Sequence, residues 1–460
     1  MSSILSLLRP APRIPMIADK EERRRLYRKL RFQNLYGMVI GYAVYYFVRK
    51  NFSMAMPTFL QELGYTKTDL GLILTLFSVV YGTGKFINGV LGDYTNARYL
   101  MAMGLLVSAV LNIVFGLSTG LVAFGIIWLF NAWFQSLGMP ASVRLLTRWY
   151  SPTELGTIWG IQSTAHQIGG AGIMIFCGWL IPNYGWRSAF YVPAAIAIVV
   201  AFWLAWTLRD TPQSVGLPPI EKHRGETDER DPDAEDCKPF REIMRDHIIK
   251  NRFLWTVATA NIFVYVVRVG IMDWAPTFLT EARGSSLAGA GLKTAAFELA
   301  GMAGAVGAGW VSDKIFRGRR GPLATISMIL LAVAIASLWI TPPGNPLLDT
   351  IILIAAGVLV YGPQLLVPVA ATDFACKQAA STAAGITGAF GYIGAAVSGL
   401  GTGLVVDAYG WGGGIYFFAA CALVGAALFA VTWNKRSPHI AKKLDRDRLA
   451  REAADAAKGK

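Results

Sequence analysis

Apolar residues run in long stretches through most of this chain, separated by short polar breaks. A run of about 20 apolar residues is long enough to cross the hydrocarbon core of a bilayer as a helix. The pattern predicts twelve such spans, over 32–60, 69–92, 98–117, 121–147, 154–181, 187–207, 252–280, 288–312, 321–341, 347–373, 378–407 and 411–433. The expected fold class is therefore all-α, an integral membrane protein of twelve transmembrane helices.

One polar stretch interrupts the series. Residues 208–251 (RDTPQSVGLPPIEKHRGETDERDPDAEDCKPF and onward) are rich in Pro, Asp, Glu, Arg and Lys. They read as a cytoplasmic linker, in part disordered. The expected organisation is a basic segment 1–31, a six-helix half 32–207, the linker 208–251, a second six-helix half 252–433 and a tail 434–460.

The two halves echo one another. YYFVRKNF in the first span has a counterpart in YVVRVGI of the seventh. GVLGDYTNAR after the second span is matched by GWVSDKIFRGRR after the eighth, and YGW occurs at Tyr184 and again at Tyr409. The pairs Arg49/Arg268, Asp93/Asp313 and Tyr184/Tyr409 recur at nearly one offset. Two parallel repeats of six helices related in this way are the architecture of the major facilitator superfamily. The Gly–Asp–basic loops carrying Asp93 and Arg98, and Asp313 and Arg317, resemble that superfamily's signature loops. Tyr94 departs from it, standing where an arginine is common.

Composition agrees with a membrane chain. Of 460 residues, 54% are hydrophobic and 16% charged, against about 25% charged in soluble domains. The net charge of +14 could suggest nucleic acid, but the basic residues crowd into the N-terminal segment, the linker, Lys314–Arg320 and the tail. That is the positive-inside pattern. With an even number of spans, it places both termini in the cytoplasm and argues against nucleic-acid binding. The N-terminal run ILSLL is too short for a cleavable signal. The cysteines, Cys177, Cys237, Cys376 and Cys421, show no metal-ligand spacing and read as single buried thiols.

The charges inside the spans carry the chemistry. Arg49, Lys50, Lys85 and Arg268 are the cations, and Asp273 and Glu298 the anions. An intramembrane charge is costly and functional by default. The set leaves two positive charges in excess, which suits a ligand near −2, such as a phosphate monoester. Arginine's planar fork meets phosphate oxygens two at a time. Tyr42, Tyr45 and Tyr46 precede Arg49 by seven, four and three residues, Tyr265 precedes Arg268 by three, and Tyr81 precedes Lys85 by four. These spacings share a helix face. Lys50 faces away from Arg49 and is expected to pair with Asp273 or Glu298. His166 either bonds the substrate or packs. Trp149 and Trp186 fit an interfacial belt. The glycine runs GGAG and GAFGYIGAAVSGLGTG suit close helix packing. There is no Walker A motif and no catalytic or metal-ligand grouping. Neither an enzyme nor a cofactor is expected.

GYAVYYFVRKNFSMAMP, YGTGKF, FVYVVRVGIMDWAPTFL, RDTPQSVGLPPIE, VSDKIFRGRRG and VYGPQLL together resemble the organophosphate:phosphate antiporters, a branch of the major facilitator superfamily. The resemblance runs from about Arg25 to Trp433. It implies that Arg49 and Arg268 bind phosphate, assisted by Lys85 and His166, and that Tyr42, Tyr46, Tyr81, Tyr265, Tyr361 and Tyr392 line the cavity. It implies exchange of inorganic phosphate for an external organophosphate, by a monomer in the bacterial inner membrane. RDTPQSVGLPPIE and GIMDWAPTFL look most like glycerol-3-phosphate transporters. DYTNARYLMAMG, RLLTRWYS and YGPQLL look closer to hexose-phosphate members. Ser163 stands where many members have asparagine. Val269 stands where the glycerol-3-phosphate type has tyrosine, which leaves room for a sugar. The resemblance also leaves a membrane sensor of external hexose phosphate, working with a kinase, as the alternative. A proton-driven anion symporter is a third reading.

Overall fold

The computed structural model describes residues 9–224, 244–374 and 380–435. The run 4–8, Cys237, Cys376, the body of the linker and the tail beyond 435 lie outside the described residues. The helices are α1 Lys20–Glu62, α2 Lys67–Asp93, α3 Ala97–Leu117, α4 Leu121–Gln135, α5 Gly138–Trp149, α6 Pro152–Tyr184 and α7 Ser188–Thr207 in the first half. The second half holds α8 Arg252–Glu281, α9 Leu287–Lys314, α10 Arg320–Ile340, α11 Pro346–Phe374 and α12 Ala380–Ala430.

Local chemistry sets several of the starts. Asp19 caps α1 by accepting from the Glu21 amide. Thr66 with Asp69 and Ser151 with Glu154 form capping boxes at α2 and α6. Each satisfies amides that the first helical turn leaves without partners.

Every expected span coincides with a helix, with three differences. The fourth span is divided between α4 and α5. The eleventh and twelfth run on in α12, separated by Gly410 at φ 69, a left-handed conformation that glycine adopts without strain. The basic segment up to Arg31 is not a separate piece but the opening turns of α1. Nine helices among the described residues are long and apolar enough to cross a membrane, the last, Thr382–Ala430, holding two spans. The remaining two, α1 and α9, carry Arg49 with Lys50 and Lys293 with Glu298 in their interiors.

By contacts the chain forms two compact units that differ from the sequence halves. The first joins α1–α7 with Met272–Leu299 and Gly399–Asp407, and the second takes Asp236–Ile271, Ala300–Ser398 and the chain from Ala408. Glycine permits the close approaches inside each unit. A side chain at Gly169 would collide with the backbone of Ala43, and one at Gly394 with the backbone of Ile262. Within the first unit, Lys67 pairs with Glu281 at 3.0 Å. The Thr68 amide and hydroxyl both donate to Asp407, at 2.7 and 2.6 Å. The Leu400 amide donates to the Thr75 hydroxyl at 2.8 Å.

Two expectations are corrected here. Trp149 and Trp186 are not interfacial, because both are buried. The Trp149 indole donates to the Arg209 carbonyl at 2.9 Å. The start of the expected linker, 208–224, is built into the first unit, with Leu208, Leu217 and Ile220 in its core. Asp210 anchors it. Its carboxylate accepts from Arg144 Nε at 2.9 Å and Arg144 Nη2 at 3.2 Å, and from the Ala97 amide at 3.0 Å. A two-point Arg–carboxylate contact is strong and directional.

Candidate functional site

The site in the first unit begins with a break in α1. Val48 leaves the helical conformation at φ −100 and ψ 21, immediately before Arg49. Three asparagines hold the break open. Asn112 of α3 and Asn131 of α4 both donate to the Val48 carbonyl, at 2.9 and 3.0 Å. Asn51 donates to Asn112 at 2.8 Å and to the Ala189 carbonyl at 2.9 Å. The Asn51 side-chain oxygen accepts from the Phe52 amide at 3.1 Å. All three asparagines are fully buried. Backbone groups freed inside a bilayer need such partners.

Beyond the break Arg49 lies against three rings. Its guanidinium sits 4.2 Å from the Tyr81 centroid, 5.1 Å from Phe77 and 5.4 Å from Tyr46. Aromatic faces attract a guanidinium without cancelling its charge. The ring of His166 lies 5.9 Å from Tyr46, and Tyr42 lies 6.0 Å from Tyr46. Lys85 is half-buried one turn beyond Tyr81. Tyr45 departs from the shared face read from the sequence. It is buried in the core, where its hydroxyl donates to the Met101 carbonyl at 2.7 Å.

Lys50 takes a different direction from Arg49. It forms a buried ion pair with Asp273, whose carboxylate also accepts from the Ser53 hydroxyl at 2.8 Å. Glu298 is buried beside Gly170, one turn beyond His166. The first unit thus brings together Arg49, Tyr42, Tyr46, Tyr81 and His166, with Lys50 next to Arg49 on α1 and paired to Asp273 of α8.

The second unit repeats the motif. Arg268 lies over the rings of Tyr361 at 4.9 Å and Tyr265 at 5.9 Å, and its Nη2 donates to the Tyr361 hydroxyl at 3.0 Å. Tyr392 packs edge-on against Tyr265 at 6.1 Å. In each unit the arginine follows a tyrosine by three residues on its own helix and meets a second tyrosine from another helix.

The loop residues lie elsewhere. Asp313 pairs with Arg320, which also reaches Asp373 at 3.3 Å. Arg317 occupies a left-handed turn at φ 52. Arg98 donates to the Ala205 carbonyl. The side chain of Asp93 is outside the described residues.

Residues 38–399 match the model of the Major Facilitator Superfamily. The chain belongs to the major facilitator superfamily. With its series of apolar helices, this facilitator is a multi-pass membrane protein. It is 41% identical over 453 residues to a glycerol-3-phosphate transporter of Bacillus subtilis, covering 95% of this chain and 100% of that protein. It is 41% identical over 436 residues to a probable hexose phosphate transport protein of Chlamydia pneumoniae, covering 92% and 96%. It is 38% identical over 436 residues to the membrane sensor protein UhpC of Salmonella typhimurium, covering 95% and 99%. Among solved structures, a bacterial homolog of the human lysosomal transporter Spinster shares the fold, with a TM-score of 0.70 over 88% of this chain and 94% of that one, at 17% identity.

Proposed function

We propose that this facilitator takes up a small organophosphate in exchange for inorganic phosphate by alternating access. The observation that carries this reading is the repeated arginine motif. Arg49 and Arg268 each rest on tyrosine rings, one such arginine in each unit. Two guanidiniums suit the oxygens of a phosphate monoester. Relatives named for glycerol 3-phosphate and for hexose phosphate, at equal identity, support the phosphate end of the substrate and leave its carbon skeleton open.

In this reading Lys85 and His166 assist at the phosphate. Tyr42, Tyr46, Tyr81, Tyr265, Tyr361 and Tyr392 contact the carbon skeleton. Lys50, Asp273 and Glu298 balance charge and gate access, and the loops at Asp93, Arg98, Asp313 and Arg317 take part in the conformational change. Both termini face the cytoplasm of a bacterial inner membrane, as the basic segments suggest, and the working unit is a monomer. The gradients of the exchanged anions supply the driving force.

The test is phosphate exchange by the purified chain in liposomes. Labelled phosphate should leave loaded vesicles only when phosphate or an organophosphate is outside. Glycerol 3-phosphate and glucose 6-phosphate compete side by side, and the stronger competitor identifies the skeleton. Uptake driven by a pH gradient, with no phosphate on the opposite side, would mean a proton symporter instead.

The similarity to a membrane sensor protein favours a second reading, in which the same residues bind hexose phosphate and report it to a kinase. Saturable binding without exchange would select it.

A further inference from the structure

The opening turns of α1 form a basic cradle that the transport reading does not use. One cavity of about 1000 Å³ lies between this helix and residues 218–223. Lys20, Arg23, Arg24, Arg28 and Lys222 line it together with the carboxylate of Glu21. A second cavity of about 620 Å³ adjoins, with Arg25 and Lys29 on its wall. Glu21, Arg24, Arg28 and Phe32 line both.

The cradle is built, not merely exposed. Its far wall is fixed by His223 stacking on Tyr27 at 4.0 Å and by Ile220, buried in the core. Its floor is fixed at Arg31, which pairs with Glu154 and lies 4.8 Å over the Tyr150 ring. The Tyr150 hydroxyl donates to the Arg31 carbonyl at 2.5 Å. Arg31 is thereby neutralised, and the cations above it are not consumed by that pair.

A second feature sets the depth. Phe32, 68% exposed, begins a ladder of rings that continues to Tyr36 at 5.3 Å and to Trp203 at 5.8 Å. Trp206, 72% exposed, lies one turn beyond Trp203. Rings grouped this way mark the level of lipid headgroups. A basic cradle directly above such a ladder is positioned for a phosphodiester whose acyl chains run along the rings.

We propose that this cradle binds the phosphodiester headgroup of an anionic phospholipid, with Arg24 and Arg28 as its main contacts and Phe32 beside the first acyl carbons. A soluble phosphate would share the anionic chemistry but not the aromatic ladder.

The test uses the full chain, delipidated in nonionic detergent, with phosphatidylglycerol or phosphatidylcholine added and bound lipid read by native mass spectrometry. Phosphatidylglycerol should be retained preferentially. R24Q/R28Q should lower that preference by roughly tenfold or more, since each basic residue near an anionic surface adds to the attraction. K250Q/K314Q, which removes the same charge elsewhere, should leave it unchanged. Millimolar inorganic phosphate should not displace the lipid. An equal loss in both double variants would reduce the effect to net charge and overturn the site. Displacement by inorganic phosphate, or an undiminished preference in R24Q/R28Q, would overturn the lipid assignment.

Discussion

Lys50 and Asp273, 223 residues apart in the chain, form a buried ion pair inside the first unit, with the Ser53 hydroxyl as a third partner. Breaking a buried pair by removing one member strands a charge, at a cost of about 3–5 kcal/mol, whereas removing both is far cheaper. Lys50→Met and Asp273→Leu should each lower the thermal stability of the detergent-solubilised protein strongly. The double change should recover most of the loss. Additive losses in a thermal-shift series would show that the two residues act separately.

The break at Val48 depends on side chains from α3 and α4. Asn112→Leu removes one donor to the Val48 carbonyl and one acceptor for Asn51. A bilayer hydrogen bond of this kind contributes about 1 kcal/mol, so the protein should remain folded. Exchange should fall further than stability does, because the break sets where Arg49 emerges. An Asn112→Leu protein with unchanged phosphate affinity would separate the break from the site.

Tyr361 bonds the Arg268 guanidinium and also lies beneath it. Tyr361→Phe keeps the ring and removes the hydroxyl. A hydrogen bond to a charged group is worth about 1.5–3 kcal/mol. The half-saturating phosphate concentration in exchange should rise by roughly tenfold, while Tyr361→Ala, which also loses the ring, should be worse. Equal effects would assign the whole contribution to the ring.

Gly394 lies where any side chain meets the backbone of Ile262. Backbone cannot yield as a flexible side chain does, so even Gly394→Ala should destabilise by about 1–3 kcal/mol. Gly388, with open space at its Cβ position, is the matched control and should tolerate alanine. A thermal-shift comparison of the two decides it.

Much of this was legible in the sequence. Long apolar runs fix helices because a bilayer leaves the backbone no other partner, and Arg49 and Arg268 stood out by the cost of burying charge. What escaped was carried by neutral polar groups and by packing. Asn51, Asn112 and Asn131 are polar residues inside apolar spans, the same kind of signal as the arginines, but a search restricted to ionisable side chains passes over them. Asp210 sits in a stretch whose Pro and charge content reads as linker, and only its meeting with Arg144 and the Ala97 amide shows that stretch to be anchored. Tyr45 illustrates the limit of helical spacing. It lies four residues before Arg49, yet the departure from helix at Val48 changes the register between them, and Tyr45 turns into the core. Trp149 likewise looked interfacial from its place near a span end, whereas its indole is used to hold the chain after α7.

The central claim is that Arg49 and Arg268 bind the phosphate. Phosphate self-exchange in liposomes, measured for Arg49→Lys and Arg268→Lys beside the unaltered chain, tests it most directly. Lysine keeps the charge but loses the planar fork, so each variant should retain its fold and lose exchange by roughly a hundredfold, the equivalent of about 3 kcal/mol. Exchange at the unaltered rate in either variant would contradict the assignment of that arginine.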